Sequence, residues 1–292
     1  MPAFSHAFFL KTYLSIEELG EYLDFKKKAG SSIGFIPTMG ALHDGHISLV
    51  KESRKHCGAT VCSIFVNPTQ FNDPNDYQLY PRNTETDKKI LEEAGCDCLF
   101  LPGIDEIYPS DDYRQISFDP GSLGQVLEGA YRPGHFAGMV SVVKRLFDIV
   151  LPDKAFFGQK DYQQYLIIKK MAEYYHLPIE IVKCPTVREK SGLAMSSRNQ
   201  RLPPEEKQNA ALIYKTLSRA AQEINKGQVD FETIIRQAMF DLTEKGNFKV
   251  DYFDICGANT LEHVHFRQQK EPLAVLTAVR TGEIRLIDNV LV

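Results

Sequence analysis

Ile33-Gly34-Phe35-Ile36-Pro37-Thr38-Met39-Gly40-Ala41-Leu42-His43-Asp44-Gly45-His46 begins as an apolar run and ends as a polar loop. The apolar part has the composition of a buried parallel strand. The run breaks at Pro37 and Gly40, and a helical pattern follows through Ile47, Leu49 and Val50. The reading is strand, tight loop, helix, with His43 and His46 where the helix opens. The first turn of a helix leaves backbone N–H groups unpartnered and carries the positive end of the macrodipole. An anion such as a triphosphate is at home there. Gly40 and Gly45 let the backbone come close to a ligand, and the two imidazoles add ring donors. Neither G-x-x-x-x-G-K-[ST] nor G-x-G-x-x-G is present, so the cradle lacks a Walker lysine. An ordinary turn with satisfied histidines is the competing reading. Two histidines in H-x-G-H order on such a turn favour a nucleotide.

Working outward, 292 residues suffice for one large or two medium domains. A hydrophobic fraction of 43% with 25% charged residues is that of an ordinary globular chain. The net charge of −4 argues against a general nucleic-acid binder. No apolar run reaches the ~20 residues of a membrane span. Phe8, Phe9 and Leu10 make too short a stretch for a signal peptide. The six cysteines contain no C-x-x-C pair, so free thiols in a reducing cytoplasm are expected.

The elements alternate along the first part of the chain. Ser15-Ile16-Glu17-Glu18 is a capping box opening a helix to Lys28. After the histidine loop, a helix is expected from about Ile47 to His56, then a strand from Thr60 to Val66 that ends on Asn67-Pro68-Thr69-Gln70-Phe71. A polar loop, a helix from Thr84 to Ala94 and a strand from Asp97 to Leu101 follow. Pro102 to Gly138 reads as irregular, and a loop of that length is functional or hides short elements. Met139 to Val150 is expected helical, Ala155 to Phe157 a strand, Lys160 to His176 helical and Ile179 to Cys184 a strand. This alternation predicts an α/β fold: a Rossmann-like, mostly parallel sheet with helices on both faces. Ligands on such sheets bind at the carboxyl ends of strands. His43/His46, Asn67/Gln70 and Lys160/Asp161 all fall at such ends.

After Pro185 the character changes. Thr186 to Asn199 reads as a polar connector. One long helix from Pro204 to Asn225, a helix from Phe231 to Glu244 and three strands predict a smaller C-terminal α+β domain. The expected division is 1–185, binding nucleotide, and 186–292, a lid. His56 reads as a helix cap, and His263 and His265 as surface residues.

Three further groups carry chemistry. Gly158-Gln159-Lys160-Asp161 again ends a strand with glycine and opens a helix with a phosphate-pairing lysine and an aspartate suited to ribose hydroxyls. Gln164 lies one turn along that helix face. Met195-Ser196-Ser197-Arg198-Asn199 offers hydroxyls and a bidentate guanidinium to phosphate oxygens. The neutral amides of Asn67 and Gln70 suit a small hydroxy acid.

These segments, with Arg132-Pro133-Gly134-His135-Phe136, stand in one order over nearly the whole chain, and together they resemble the pantoate–β-alanine ligase family. H-x-G-H alone indicates only the wider nucleotidyltransferase superfamily. The one departure is Gln159, where that family usually carries glutamate. The resemblance implies that ATP, carried with Mg²⁺, is attacked by the carboxylate of pantoate. Pantoyl adenylate forms, pyrophosphate leaves, and β-alanine then attacks to give pantothenate and AMP. It implies ATP contacts from Met39, Gly40, Ala41, Leu42, His43, Asp44, Gly45, His46, Gly158, Gln159, Lys160, Asp161, Val187, Met195, Ser196, Ser197 and Arg198. His46 is the implied proton donor, and His43, Lys160 and Arg198 stabilise charge with it. Gln70, Gln164 and Asn67 are implied for pantoate, and Gln70 also for β-alanine. Mg²⁺ is expected on the ATP phosphates, with no side-chain ligand assigned. The family is cytoplasmic and usually homodimeric. The rivals are another H-x-G-H nucleotidyltransferase acting on a small phosphorylated substrate, and a nucleotide sensor without catalysis.

Overall fold

The structure is a computed structural model that describes residues 9–71, 74–227, 230–267 and 271–292. Phe8 lies outside them. The elements in chain order are β1 (Lys11–Tyr13), α1 (Ile16–Lys28), β2 (Ile33–Thr38), α2 (Asp44–His56), β3 (Ala59–Ile64), α3 (Pro74–Gln78), α4 (Thr84–Glu93), β4 (Cys98–Phe100), α5 (Ile104–Ile107), α6 (Glu128–Tyr131), α7 (His135–Val150), β5 (Lys154–Gly158), α8 (Tyr162–Tyr174), β6 (Glu180–Cys184), α9 (Pro204–Asn209), α10 (Ala211–Asn225), α11 (Phe231–Phe240), β7 (Lys249–Gly257), β8 (Leu273–Thr281) and β9 (Ile284–Leu291). They fall into two compact units. The first comprises Met1–Asp119, Gly134–Gly158 and Ile168–Cys184; the second comprises Pro120–Pro133, Gln159–Ile167 and Pro185–Val292.

The first unit holds a six-stranded sheet in the order β1-β4-β3-β2-β5-β6, with every pairing parallel. This is the expected α/β sheet. β2 and β3 are central, and the burial of Phe35, Ile36, Val61 and Cys62 explains their mostly apolar composition. The chain winds outward from β2 through β3 to β4, then crosses back to β5 and β6. The order therefore reverses between β2 and β5. In open α/β sheets such a switch point opens a crevice at the carboxyl ends of the strands. β2 ends at Thr38, just before the histidine loop, and β5 ends at Gly158, two residues before Lys160.

The second unit holds the antiparallel sheet β7-β8-β9. Its core packs Ile213, Leu217, Ile224, Phe231, Ile234 and Leu242 against Ile255, Val275 and Val279. This is the smaller α+β part that the sequence predicts. Among the described residues, no helix is long and apolar enough to cross a membrane.

Five local expectations need correction. β1 has no counterpart in the sequence reading; it is three exposed or half-exposed residues paired to β4, with Tyr13 packed on Tyr22 of α1. Helix α2 opens at Asp44 rather than Ile47, and α7 at His135 rather than Met139. Asp44, Gly45 and His46 fill the first turn of α2, and Gly134 and Gly138 bracket that of α7, which hides the helical period. The helix expected from Pro204 to Asn225 is two, parted at Ala210. The helix expected to reach Glu244 ends in one wide turn over Asp241–Lys245, where Asp241 draws in Arg219 and Lys245.

Candidate active site

The first unit holds one group of the expected residues at the end of β2. Gly40 has φ of +80° and Ala41 of +49°, so the loop turns through two successive left-handed residues. A Cβ on Gly40 would lie 3.0 Å from both Asp87 Oδ2 and Ile64 Cγ2, so glycine is needed twice over. Asp87 on α4 fixes this turn. Its Oδ2 accepts the N–H of Ala41 at 2.9 Å and its Oδ1 that of Leu42 at 2.8 Å. Burial pushes the Asp87 carboxyl up, and the two backbone donors pull it partly back. Those two amides are committed to Asp87, so what Ala41 and Leu42 bring to the loop is its shape.

The histidines cap α2 reciprocally. His43 Nδ1 accepts the N–H of Gly45 at 3.1 Å, and His46 Nδ1 accepts that of His43 at 3.3 Å. The ring centroids are 4.1 Å apart. A nitrogen that accepts a backbone N–H carries no proton of its own, so in each neutral ring the proton sits on Nε2. The loop therefore places two Nε2–H donors at the positive end of a thirteen-residue helix. This fixes the tautomers, which the sequence left open.

The turn after β3 lies beside that loop. Gln70 Nε2 contacts Met39 Sδ at 2.7 Å, which joins a residue expected for pantoate to one expected for ATP. Asn67 is wholly buried; its Nδ2 donates to the Gly138 carbonyl at 3.1 Å, and its Oδ1 accepts from Thr69 and from the Tyr108 hydroxyl. His135 Nδ1 donates to the Gln70 carbonyl at 2.8 Å. A Cβ on Gly138 would stand 2.3 Å from the Thr69 carbonyl oxygen, so only glycine lets α7 approach this turn.

The second unit holds another group of the expected residues. Asn289 on β9 donates to the carbonyls of Gln159 and Lys160, each at 2.9 Å, and its Oδ1 accepts from Gln159 Nε2 at 3.3 Å. The neighbouring Asp288 takes Arg188 in a bidentate pair at 2.6 and 2.9 Å. Arg188 also lies 3.6 Å over the Tyr214 ring. Burial pushes the Asp288 carboxyl up, against the pull of Arg188. The connector is not the plain loop expected. Arg188 bridges Ala194, and the Met195 N–H donates to the Val187 carbonyl at 3.0 Å, which makes a short hairpin that brings Val187 and Met195 together. Ser196 Oγ then caps the turn Ser197–Arg201 by accepting the Arg198 N–H, and that turn packs on β9. One stretch of β9 thus anchors both the Lys160 turn and the connector. Gln163, beside the expected Gln164, is a structural residue: its amide bonds the backbone of Leu123, Val126 and Glu128. Gln164 is half-buried on the next position of α8.

Asp87, Gly138, Asp288, Asn289 and Arg188 escape sequence reasoning, because their partners lie far along the chain. His135 carried a signal, in the Arg132–Phe136 motif. The cysteines are free, as expected; burial pushes Cys96 up to about 12 and Cys184 to about 11, so neither is a ready nucleophile. His56 pairs with Glu52 one turn back instead of capping carbonyls.

A parallel sheet with a switch point, and a glycine loop capped by H-x-G-H at it, define a Rossmann-like protein of the nucleotidyltransferase type. Comparison with known proteins narrows the class. The model of the pantoate–β-alanine ligase family matches residues 11–291. A pantothenate synthetase from Cytophaga hutchinsonii is 45% identical over 95% of this chain and 98% of its own length. One from Caldicellulosiruptor bescii is also 45% identical, over 95% and 97%. The crystal structure of pantothenate synthetase from Thermus thermophilus superposes with a TM-score of 0.88 at 40% identity, covering 96% of this chain and 99% of that one. The pantoate–β-alanine ligase of Francisella tularensis, complexed with β,γ-ATP and β-alanine, gives a TM-score of 0.77 at 34% identity, covering 97% and 98%. The chain belongs to the pantoate–β-alanine ligase family.

Proposed function

We propose that this chain condenses (R)-pantoate with β-alanine at the expense of ATP, giving pantothenate, AMP and diphosphate through pantoyl adenylate. It is an AMP-forming ligase that makes a C–N amide bond. The observation that carries the mechanism is the histidine cap, which sets two Nε2–H donors at the start of α2.

In the first step a pantoate carboxylate oxygen attacks the α-phosphorus of ATP, and the bond to the departing diphosphate breaks. Negative charge grows on the diphosphate. His46 donates its Nε2–H there, supported by His43, Lys160 and Arg198, as preorganised electrostatic catalysis requires. Met39, Gly40, Ala41, Leu42, Asp44 and Gly45 shape the loop that takes the triphosphate. For Ala41 and Leu42 that contribution is shape, since Asp87 holds their N–H groups. Gly158, Gln159, Asp161, Val187, Met195, Ser196 and Ser197 complete the nucleotide contacts. Gln70 and Gln164 hold pantoate, with Asn67 bracing the turn that carries Gln70. In the second step the β-alanine amine, beside Gln70, attacks the acyl carbonyl and AMP leaves. No nucleophilic side chain is required, because the substrates bring both nucleophiles.

Mg²⁺ binds phosphate oxygens and water with one or two carboxylates. Asp161, which is half exposed, would hold it by exchanging the Lys160 ammonium, 3.3 Å away, for the ion. Asp87 would not, because both its oxygens accept backbone N–H groups. When bound, Mg²⁺ neutralises charge on the phosphates; positioning and proton donation belong to the side chains named above. Family membership also supports a cytoplasmic homodimer; the division into 1–185, binding nucleotide and pantoate, and 186–292, serving as the lid, rests on the change of character after Pro185, with segments 120–133 and 159–167 joining the second compact unit. Light scattering of the purified chain tests the dimer.

The test of the reaction is to mix the enzyme with ATP, pantoate and β-alanine and to follow AMP, diphosphate and pantothenate. Equal amounts of all three, with diphosphate release dependent on pantoate, are expected. Transfer of AMP to a phosphorylated acceptor in place of pantoate, or ATP binding without diphosphate under any mixture, would contradict the reading.

A further inference from the structure

His263, His265 and Glu232 meet on the surface of the second unit, and none of them is used in the chemistry above. His263 Nε2 lies 3.3 Å from His265 Nδ1 and 3.3 Å from Glu232 Oε1, and His265 Nδ1 lies 3.2 Å from that same oxygen. The three ligand atoms form a nearly equilateral triangle. Ligand atoms about 2.0–2.1 Å from a tetrahedral Zn²⁺ stand about 3.3 Å from one another. The triangle therefore matches one face of such a site, and exposure leaves the fourth position to water.

The surroundings fit the same chemistry. His263 Nδ1 faces Asp254 Oδ1 at 2.5 Å. A metal-bound histidine characteristically gives its other ring N–H to a carboxylate, which fixes the tautomer and aims the ligand nitrogen. With the proton on Nδ1, His263 Nε2 presents a lone pair toward a carboxylate oxygen and another imidazole nitrogen. His263 Nε2 and His265 Nδ1 can each carry a proton and donate to Glu232 Oε1, so the triangle is held together either by protons or by one cation at its centre. The ligand positions are also held from behind. Leu261 is buried, the Val264 N–H donates to the Ile255 carbonyl at 2.9 Å, and His263 bridges Cys256. Glu232 stands in the first turn of α11, whose N-cap Asp230 accepts from Thr233. The cluster thus joins the segment after β7 to the start of α11.

We propose that His263, His265 and Glu232 form a binding site for one divalent transition-metal ion, with Zn²⁺ as the fitting occupant and Asp254 orienting His263. Two imidazoles and a carboxylate with an open position are a ligand set for such ions. The ion acts as a clamp that ties the 258–267 segment to α11, separate from the ligase chemistry. The competing occupant is a proton. Burial pulls His263 down, but the Asp254 and Glu232 carboxylates outweigh it and hold its imidazolium above the ordinary histidine range. Metal and proton therefore compete, with Asp254, Glu232 and His265 as the groups facing His263.

The test uses the full-length, EDTA-stripped enzyme titrated with Co²⁺ and Zn²⁺ by absorption spectroscopy and calorimetry. One equivalent is expected to bind, with a nitrogen- and oxygen-ligand cobalt spectrum free of thiolate charge transfer, and Zn²⁺ is expected to raise Tm. His265→Ala and Glu232→Gln, both at exposed positions, are expected to lower affinity at least about 100-fold, and Asp254→Asn about 10–100-fold. Their ligase activity, assayed with Mg²⁺ after EDTA stripping and dialysis, is expected to match that of the parent. No binding by the parent, or binding and a Tm rise that His265→Ala and Glu232→Gln both retain, would overturn the proposal.

Discussion

Asp87 holds Leu42 from 45 residues away, its Oδ1 accepting the Leu42 N–H at 2.8 Å while Oδ2 takes the N–H of Ala41. The carboxylate thereby keeps two left-handed residues in the loop that leads into the histidine cap. Asp87→Ala strands two buried N–H donors, at about 1–3 kcal/mol each. Asp87→Asn turns one acceptor into a donor facing a donor. Both variants are expected to be less stable in urea and to show a higher KM for ATP, with Asp87→Asn the milder. An unchanged ATP KM in a folded Asp87→Asn variant would detach this carboxylate from the nucleotide loop.

Gly138 is a second, separable test. A methyl group there meets the backbone of Thr69 and Gln70 and forces the turn away from α7. Gly138→Ala is expected to cost about 1–3 kcal/mol. Its KM for pantoate is expected to rise more than its KM for ATP, because the displaced residues are Asn67 and Gln70. Steady-state kinetics with each substrate varied in turn reads the two effects apart.

Gln164→Ala addresses the pantoate side from α8. Pantoate use is expected to weaken more than ATP binding, as calorimetry with each ligand would show. The reverse order would remove Gln164 from the pantoate contacts.

Glu128 and Arg285 form a bidentate pair at 2.6 and 2.7 Å, closed by Asp251 on Arg285 and the Tyr252 hydroxyl on Glu128. Arg285→Met leaves Glu128 buried without its main partner and is expected to cost about 3–5 kcal/mol. Burial alone would push the Glu128 carboxyl up, but Arg285 and Arg132 hold it below the ordinary glutamate value of 4.5. A lowered carboxyl adds stability above the unfolded-state pKa and loses it as pH falls through the folded one. The stability gap between the parent and Glu128→Gln is therefore expected to be full near neutrality and to close below about pH 4.5. Urea denaturation across that range measures it.

The sheet was legible because buried parallel strands are apolar on both faces, as in Ile33–Thr38 and Ala59–Ile64. β1 was not, since Lys11-Thr12-Tyr13 owes its form to partners distant in the chain, above all β4. Local chemistry was legible in the same way: glycine, histidine and helix start are adjacent in the chain at residues 40–46. The supports were hidden by distance. Asn289 bonds residues about 130 positions earlier, and Arg188 finds Asp288 across 100. Nothing in a polar stretch such as Val187–Met195 announces a hairpin whose anchor is a strand near the end of the chain. His263 and His265 read as surface residues, and they are exposed; their meeting with Glu232 depends on the fold.

The central claim is that the His46 Nε2–H acts on the departing diphosphate. Rapid quench of the first turnover, with ATP and pantoate prebound and no β-alanine, isolates that step. His46→Ala is expected to fold, to bind ATP, and to form pantoyl adenylate about 10²-fold or more slowly than the parent. Adenylate formation at close to the parental rate would contradict the account.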